Sequence, residues 1–319
     1  AIPNKDDGNN RKDDAKGLKH GIGIADFDAS GITFVAPPPT GLYGSAAYLE
    51  PMETQPKTFT DRDALINHVR ALSPSLSPDD VSVSDTRGGR QAGQNLLGKI
   101  DPIAYGHSRN YLGGAVSYLS PYIRHGIIAL NEVRNFALEA APEDEPIRPI
   151  EKFVQELAWR DFWQRVYQQN PDWIWQDVET YKTGFAPDDY SDTLPDDIET
   201  AQTDCAAINH FITSLKTTGY LHNHARMYLA AYIVHWRRVK WQAGAHFFLA
   251  HLLDGDPASN NLSFQWVAST FSNKPYFFNL ENLQKFAHPQ APCAEADNLA
   301  LAGSYDQLAA RLFPYGVSS

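Results

Sequence analysis

The stretch from Gly219 to Trp266 decides the fold of this chain, and it reads GYLHNHARMYLAAYIVHWRRVKWQAGAHFFLAHLLDGDPASNNLSFQW. Near its start, Asn223, Arg226 and Met227 are spaced at i, i+3 and i+4, which places them on one face of a helix. Near its end, the segment 254–261 (DGDPASNN) gathers carboxylates and amides at a turn. Burying these charges among apolar residues is costly, because they lose their hydration. The pattern therefore predicts a site for a polar, planar ligand.

Length and composition are those of a globular protein with a substantial core. The chain has 319 residues, of which 43% are hydrophobic and 12% aromatic. It contains no apolar run long enough to span a membrane and no apolar segment near its start typical of a signal peptide. Its two cysteines, Cys205 and Cys293, give no disulfide framework. We therefore expect a reducing, cytoplasmic location.

The formal net charge of −11 argues against a nucleic-acid partner, but the charge is unevenly distributed. Residues 176–204 contain nine Asp or Glu and a single Lys, whereas residues 219–290 contain six Lys or Arg and three Asp or Glu. Phosphate contacts depend on local charge, so this uneven distribution makes the net charge a weaker argument against DNA binding. The net charge still counts against it. Arg237, Arg238 and Lys240 are read either as extra positive charge for DNA or as a solvated helix face.

The chain divides into three regions by composition and periodicity. Residues 1–60 are polar and rich in Gly and Pro, which predicts an irregular N-terminal arm. A helix is expected to begin near Thr60, and helical spacing recurs in segments 118–139, 150–168, 205–217, 221–240 and 243–253. The acidic segment 176–204 is interpreted as a solvated loop. We expect a helical domain over 61–290 and a tail or short helix over 291–319.

Five blocks of sequence, in the right order, resemble the FAD-binding domain of the DNA photolyase/cryptochrome family. They comprise Gly88 to Gly93, Tyr105 with Arg109 and Asn110, Ser117 to Gly126, Glu156 to Trp163, and the 219–266 stretch. The resemblance implies an all-α domain that binds FAD. Family members also carry an N-terminal α/β domain with an antenna chromophore. The residues before the matching blocks show no alternating strand and helix pattern, so we expect neither that domain nor the antenna chromophore.

The resemblance assigns roles to individual residues. Those implied to bind FAD are Tyr105, Ser117, Leu119, Ser120, Phe153, Glu156, Arg160, Asn223, Arg226, Asp254, Asp256 and Asn260. In this assignment Ser117 and Ser120 hold the diphosphate, Arg226 pairs with Asp254 beside the flavin, and Asp256 accepts from a ring N–H. Val116 stands where the family usually has Thr, so one hydroxyl contact is lost. Without the resemblance, the serines are read as ordinary helix caps and the Asp-Gly-Asp segment as an exposed turn.

A second set of residues matches the pocket that holds the damaged bases in cyclobutane-dimer photolyases: Glu156, Trp159, Asn223, Met227 and Trp266. A flipped-out dimer needs apolar walls and hydrogen-bond partners for its carbonyls. The (6-4) photolyases have histidines at the positions of Asn223 and Met227, and we interpret His222 and His224 as flanking polar residues. Ordinary core packing is the alternative for both tryptophans. No set of histidines and cysteines has zinc-ligand spacing, so no metal is expected.

The resemblance also implies an altered electron relay. Trp241 matches the middle member of the family's tryptophan relay, whereas the flavin-proximal position is Phe264, whose ring is far harder to oxidise. The expected activity is light-driven splitting of pyrimidine dimers in DNA by reduced FAD, on single or double strands. The alternatives are a cryptochrome-like photoreceptor or flavin protein without repair activity, and a protein in which FAD is only structural.

Overall fold

Helices make up the regular structure of this chain. The computed structural model describes residues 58–72, 84–143 and 147–316, and within these ranges it contains no β-strand. The all-α prediction is confirmed. The α-helices are α1 (Arg62–Leu72), α2 (Arg90–Leu97), α3 (Pro102–Ser108), α4 (Ser120–Arg124), α5 (Leu130–Glu139), α6 (Glu151–Gln169), α7 (Asp196–Glu199), α8 (Ala206–Thr218), α9 (Asn223–Ala231), α10 (Trp241–His251), α11 (Pro257–Ala268), α12 (Leu280–Ala287) and α13 (Tyr305–Leu312). The predicted arm over 1–60 lies almost wholly outside the described residues.

Aspartate side chains fix the starts of two helices. The carboxylate of Asp61 accepts a hydrogen bond from the backbone N–H of Ala64 at 2.8 Å and caps α1, next to the predicted helix start near Thr60. At α11, Asp256 accepts from the N–H of Ser259 at 3.0 Å, and Pro257 occupies the first helical position. The second cap matters for the site, because it orients a carboxylate that the sequence assigns to ligand binding.

Two of the predicted helices are interrupted. The segment 118–139 forms α4 and α5, separated by a turn in which Gly126 has a φ of 67°. The segment 221–240 forms α9 and one π-helical turn (Tyr232–Trp236), and it ends at Arg238, whose φ is 49°. The guanidinium of Arg238 lies 3.7 Å from the ring centroid of Phe185. Such a contact between residues distant in sequence overrides helical periodicity, which is a local signal.

A glycine brings the two polar clusters of the 219–266 stretch together. Gly219 ends α8 with a φ of 69°, and a Cβ atom there would lie 2.6 Å from Cγ of Leu253. The backbone N–H of Leu253 donates to the carbonyl of Gly219 at 2.8 Å. Only glycine combines this conformation with such a close approach. The turn before α9 is therefore held directly against the loop that carries Asp254.

The acidic segment 176–204 is not the solvated loop that we predicted. Tyr181, Tyr190 and Ile198 are buried, and the segment contains the short helix α7. The prediction was wrong because the acidic side chains find cations nearby: Asp197 accepts two hydrogen bonds from Arg237, at 2.7 and 3.0 Å. Lys240 likewise donates to Asp192 at 2.6 Å. These pairs, together with the buried rings, dock the segment on the helices.

The described core consists of two larger apolar clusters and a small one at the C-terminus. One large cluster lies among α8 to α12 and includes Trp241, while the other surrounds Phe153 of α6. Helix α11 packs against α6, α9 and α10. Polar contacts bridge the two large clusters, since Arg124 donates to the carbonyl of Gly255 at 2.7 Å. The candidate site residues lie along this junction.

Among the described residues, no helix combines the length and apolar character that crossing a membrane requires. Cys205 and Cys293 are free thiols, and both are buried. Burial raises the pKa of the Cys205 thiol to about 11, so this thiol stays protonated at neutral pH.

His235 should make the stability of the protein depend on pH. It is buried in the π-helical turn, where Nε2 contacts the carbonyl of Val267 at 3.0 Å, and burial lowers its pKa to about 4, with a smaller effect from Arg238. The unfolded chain has the ordinary pKa near 6.5, so it binds the proton first as the pH falls. The contribution of neutral His235 is therefore full above about pH 6.5 and is lost progressively down to about pH 4.

Urea unfolding across this pH range tests the expectation. His235→Gln should reduce the pH dependence of the unfolding free energy by about 1 kcal/mol per pH unit. His222 and His224, whose pKa values are also lowered to about 4, keep their share of the dependence in this variant. An unchanged slope in His235→Gln would show that His235 takes up its proton as readily in the folded protein as in the unfolded one.

Candidate functional site

The centre of the site is an ion pair between α9 and the loop before α11. Nη2 of Arg226 donates to Oδ2 of Asp254 at 2.8 Å, and Nε of Arg226 donates to the carbonyl of Leu221 at 2.7 Å. The Asp254 side chain is only 3% exposed. Its second oxygen, Oδ1, is buried without a hydrogen bond of ordinary geometry, and Ser120 at the start of α4 lies beside the same carboxylate. A buried acceptor of this kind is available to a ligand N–H or O–H.

Asp254 remains ionised despite its burial. Burial by itself raises the pKa of this carboxyl, but the positive charge of Arg226 and its hydrogen bond outweigh that effect and hold the pKa below its usual value. Arg160 adds a second favourable charge from α6. The site therefore presents a charged acceptor at neutral pH.

The second carboxylate of the loop, Asp256, is held by a residue that the sequence analysis missed. Nε2 of Gln164 donates to Oδ2 of Asp256 at 2.7 Å. Gln164 follows Glu156 and Arg160 at i+8 and i+4, so α6 carries a polar stripe on one face. Burial lowers the pKa of Arg160, whereas the charges of Asp256 and Asp254 raise it. The stripe itself was the sequence signal that could have identified Gln164.

The remaining residues assigned to FAD line the same junction. Tyr105 of α3 meets Phe153 of α6 edge to face, with ring centroids 5.0 Å apart, and Leu119 is buried beside α4. The hydroxyl of Ser117 accepts from the N–H of Leu119 at 3.4 Å. On α11, the amide nitrogen of Asn260 donates to the carbonyl of Ala245 at 3.1 Å. This contact fixes the orientation of the Asn260 amide.

The predicted lesion-pocket residues lie on α6, α9 and α11. Glu156 forms an ion pair with Arg109, with Nε of Arg109 3.3 Å from Oε1 of Glu156. Nδ2 of Asn223 lies 3.9 Å from the sulfur of Met227. Trp159 and Trp266 are half-buried and pack on other aromatic rings, namely Trp163 at 5.8 Å and Tyr276 at 5.6 Å. Both tryptophans thus keep part of their surface accessible.

The two histidines beside Asn223 have structural environments. Nδ1 of His222 accepts from the N–H of His224 at 3.1 Å, which caps α9. The ring of His224 packs against Tyr228 and Phe286. Burial lowers the pKa of each histidine to about 4, so both are neutral at neutral pH. As neutral rings that flank Asn223, they are poor proton donors.

The relay positions are deeply buried. The indole Nε1 of Trp241 donates to Oδ1 of Asp177 at 2.6 Å. Phe264 is 2% exposed, and its ring meets Phe248 edge to face at 4.8 Å. A Cβ atom on Gly244 would lie 2.7 Å from the Phe264 ring, so this glycine makes room for the phenyl group.

These features fit FAD. The N–H groups of its isoalloxazine ring would donate to the carboxylates of Asp254 and Asp256, and Asn260 would present its oriented amide to the ring. Its diphosphate would bring negative charge that guanidinium groups can neutralise. Arg124 of α4, Arg160 of α6 and Arg226 of α9 are the candidates for this role.

Comparisons with known proteins also indicate an FAD-binding domain. Residues 153–297 match the family model described as the FAD binding domain of DNA photolyase. The deoxyribodipyrimidine photo-lyase of Streptomyces griseus is 32% identical over 218 residues, which cover 66% of this chain and 42% of that protein. The enzyme of the same name from Synechococcus sp. is 30% identical, with coverage of 52% and 35%. The chain thus spans about two-fifths of the length of the curated relatives it matches.

Solved structures show the same fold. An archaeal photolyase from Sulfolobus tokodaii, solved with two FAD molecules, superposes with a TM-score of 0.51 at 29% identity, covering 63% of this chain and 44% of that chain. A cryptochrome from Synechocystis sp. superposes with a TM-score of 0.58 at 21% identity, covering 71% and 51%, and shows similarity of fold alone. The cofactor of this domain is FAD. The chain belongs to the DNA photolyase/cryptochrome family, and its residues 153–297 match that family's FAD-binding domain.

Proposed function

We propose that the protein splits cyclobutane pyrimidine dimers in DNA by light-driven electron transfer from reduced FAD. The observation that carries the proposal is the pair Asn223 and Met227, whose side chains lie together on α9 beside the Arg226–Asp254 ion pair. Neither residue donates a proton readily, and the neighbouring histidines are buried and neutral. Simple dimer cleavage needs no proton donor, whereas (6-4) repair does. The pocket therefore favours the cyclobutane lesion.

The protein's own groups have positioning roles in this reaction. Bound FAD, once reduced and excited by light, supplies the electron, and the electron returns after the ring opens. Glu156, oriented by Arg109, offers its carboxyl group to the polar edge of the damaged bases. The accessible faces of Trp159 and Trp266 offer stacking surfaces for the bases on either side. No general acid or base is required.

Variants of the pocket test this assignment. Glu156→Ala and Trp159→Ala should each lower the rate of light-driven repair, by about 10-fold for one lost hydrogen-bonding or stacking contact, while FAD stays bound. Repair is measured with reduced protein and a dimer-containing oligonucleotide, and FAD content by absorbance.

Two further variants provide controls. Glu156→Gln retains the hydrogen-bonding shape and should keep more activity than Glu156→Ala. Phe162→Ala removes an exposed ring next to Trp159 on α6 and should leave repair intact. If Trp159→Ala repairs as fast as the unmodified protein, the lesion does not lie where we propose.

A second candidate is a photoreceptor or flavin protein without repair activity. One observation favours it: the cations of the 237–240 segment are engaged elsewhere. Arg237 pairs with Asp197, Lys240 pairs with Asp192, and Arg238 lies over Phe185. Positive charge that is already paired attracts DNA phosphates weakly. Absence of any damage-dependent DNA binding by the FAD-loaded, reduced protein would favour this candidate.

A further inference from the structure

Tyr118 adopts a backbone conformation that its side chain disfavours. It lies in the turn between Ser117 and Ser120 with a φ of 52°, in the left-handed region, and half of its side chain is exposed. A non-glycine residue in this region is strained, and strain of this kind concentrates where a ligand is held. Because half of the ring is exposed, its burial offsets little of the free-energy cost of the strained backbone. The conformation therefore calls for a reason beyond folding.

The neighbours of Tyr118 connect it to the FAD site. Its ring lies 5.0 Å from the ring of Tyr220, the residue after the Gly219 turn. On Tyr220, in turn, the guanidinium of Arg226 lies 5.6 Å from the ring centroid. Arg226 binds the buried carboxylate of Asp254. A continuous row thus runs from an exposed ring, through a half-buried ring, to the charged pair at the centre of the site.

The charge and burial of this row of side chains suit a role in retaining FAD better than a catalytic role. Partial burial raises the pKa of the Tyr220 phenol well above the ordinary value, so it stays neutral. Tyr118 lies within the serine turn itself, so its ring stands next to the residues that the resemblance assigns to the diphosphate. An aromatic ring brings a large apolar area at low conformational cost, which suits it to cover a planar ligand.

We propose that Tyr118 and Tyr220 form an aromatic lid that retains FAD at the Ser117–Ser120 turn. In this arrangement Tyr220 is the fixed platform, braced by Arg226, and Tyr118 is the closing ring. Contacts with bound FAD offset the strain at Tyr118. The lid also compensates for Val116, which lacks the hydroxyl that the family usually offers at that position.

The test measures FAD release from loaded protein in the dark and without DNA, so it is independent of repair. Flavin fluorescence is followed after dilution of unmodified protein and of three variants, Tyr118→Phe, Tyr118→Ala and Tyr118→Gly. We expect the Ala and Gly variants to release FAD about 5–10 times faster, as the loss of one aromatic contact implies. Tyr118→Phe keeps the ring and should release FAD at the unmodified rate.

Comparing Tyr118→Gly with Tyr118→Ala distinguishes the effect of losing the ring from the effect of relieving the backbone strain. Both remove the ring, but only glycine relieves the left-handed conformation, so flavin-free Tyr118→Gly should melt about 2–4 °C above Tyr118→Ala. Tyr220→Leu removes the platform, and adding Tyr118→Ala to it should accelerate release no further. The lid proposal is wrong if Tyr118→Gly releases FAD at the unmodified rate. It is also wrong if Tyr118→Phe releases FAD as fast as Tyr118→Ala.

Discussion

Asp254→Ala should deprive the protein of its FAD. The substitution removes the partner of Arg226, whose guanidinium stays partly buried beside the charge of Arg160. Breaking a buried ion pair from one side costs about 3–5 kcal/mol, because the remaining charge loses its compensation. The substitution also removes the acceptor oxygen Oδ1, which is available to the cofactor. We therefore expect the dissociation constant for FAD to rise by at least about 100-fold.

Flavin absorbance of the purified protein and titration with FAD measure this effect. Asp254→Asn keeps the size of the side chain and should lose less affinity than Asp254→Ala. The matched control is Asp192→Ala, which removes the partner of Lys240 at an exposed position and should leave FAD binding unchanged. Unchanged affinity in folded Asp254→Ala would show that the Arg226–Asp254 pair does not form the cofactor site.

Phe264→Trp should accelerate photoreduction of the oxidised protein by an order of magnitude or more. Electron transfer to the excited flavin competes with its rapid decay, so the nearest oxidisable side chain determines the yield. The resemblance places Phe264 at the flavin-proximal position, where a phenyl ring would block the first step towards Trp241, which is buried and hydrogen-bonded to Asp177. An indole at position 264 restores that step. The ring lies against Gly244 and Phe248, so the added volume costs about 1–3 kcal/mol of stability.

Three comparisons make this prediction specific. Phe248→Trp adds the same volume in the same packed region without filling the relay position, and it should leave photoreduction slow. Trp241→Phe in the Phe264→Trp background should abolish the gain, because the next donor is removed. Repair by protein reduced beforehand should hardly change, since its electron starts on the flavin. Fast photoreduction of unmodified protein, unaffected by Trp241→Phe, would reveal a different donor route.

The sequence predicted the parts of the site that depend on spacing within one element. Asn223, Arg226 and Met227 lie on one face of α9 as their spacing implied, and Arg226 meets Asp254. Contacts between distant segments were beyond such reasoning. Gln164 and Asp256 are 92 residues apart in sequence, and nothing in either segment specifies the other. The hydrogen bond between them exists only because α6 packs on α11.

Three further features of charge and backbone also depend on packing between distant segments. The acidic segment looks solvated in isolation, yet Asp197 faces Arg237, a cation that follows it by 40 residues. Arg109 likewise forms an ion pair with Glu156 of α6, which follows it by 47 residues. Local patterns also gave no indication that Tyr118 adopts a left-handed conformation, because tyrosine has no preference for it. Each of these features is determined by tertiary packing rather than by local propensity.

Light-dependent repair by the reduced protein tests the central claim most directly. FAD-loaded protein is reduced chemically without oxygen, mixed with an oligonucleotide that contains a single thymine dimer, and divided between blue light and darkness. Restored thymine is measured by the recovery of ultraviolet absorbance. We predict repair in the light over many turnovers, none in the dark, and none with flavin-free protein. Intact dimers after illumination of loaded, reduced protein that binds the damaged oligonucleotide would contradict the account.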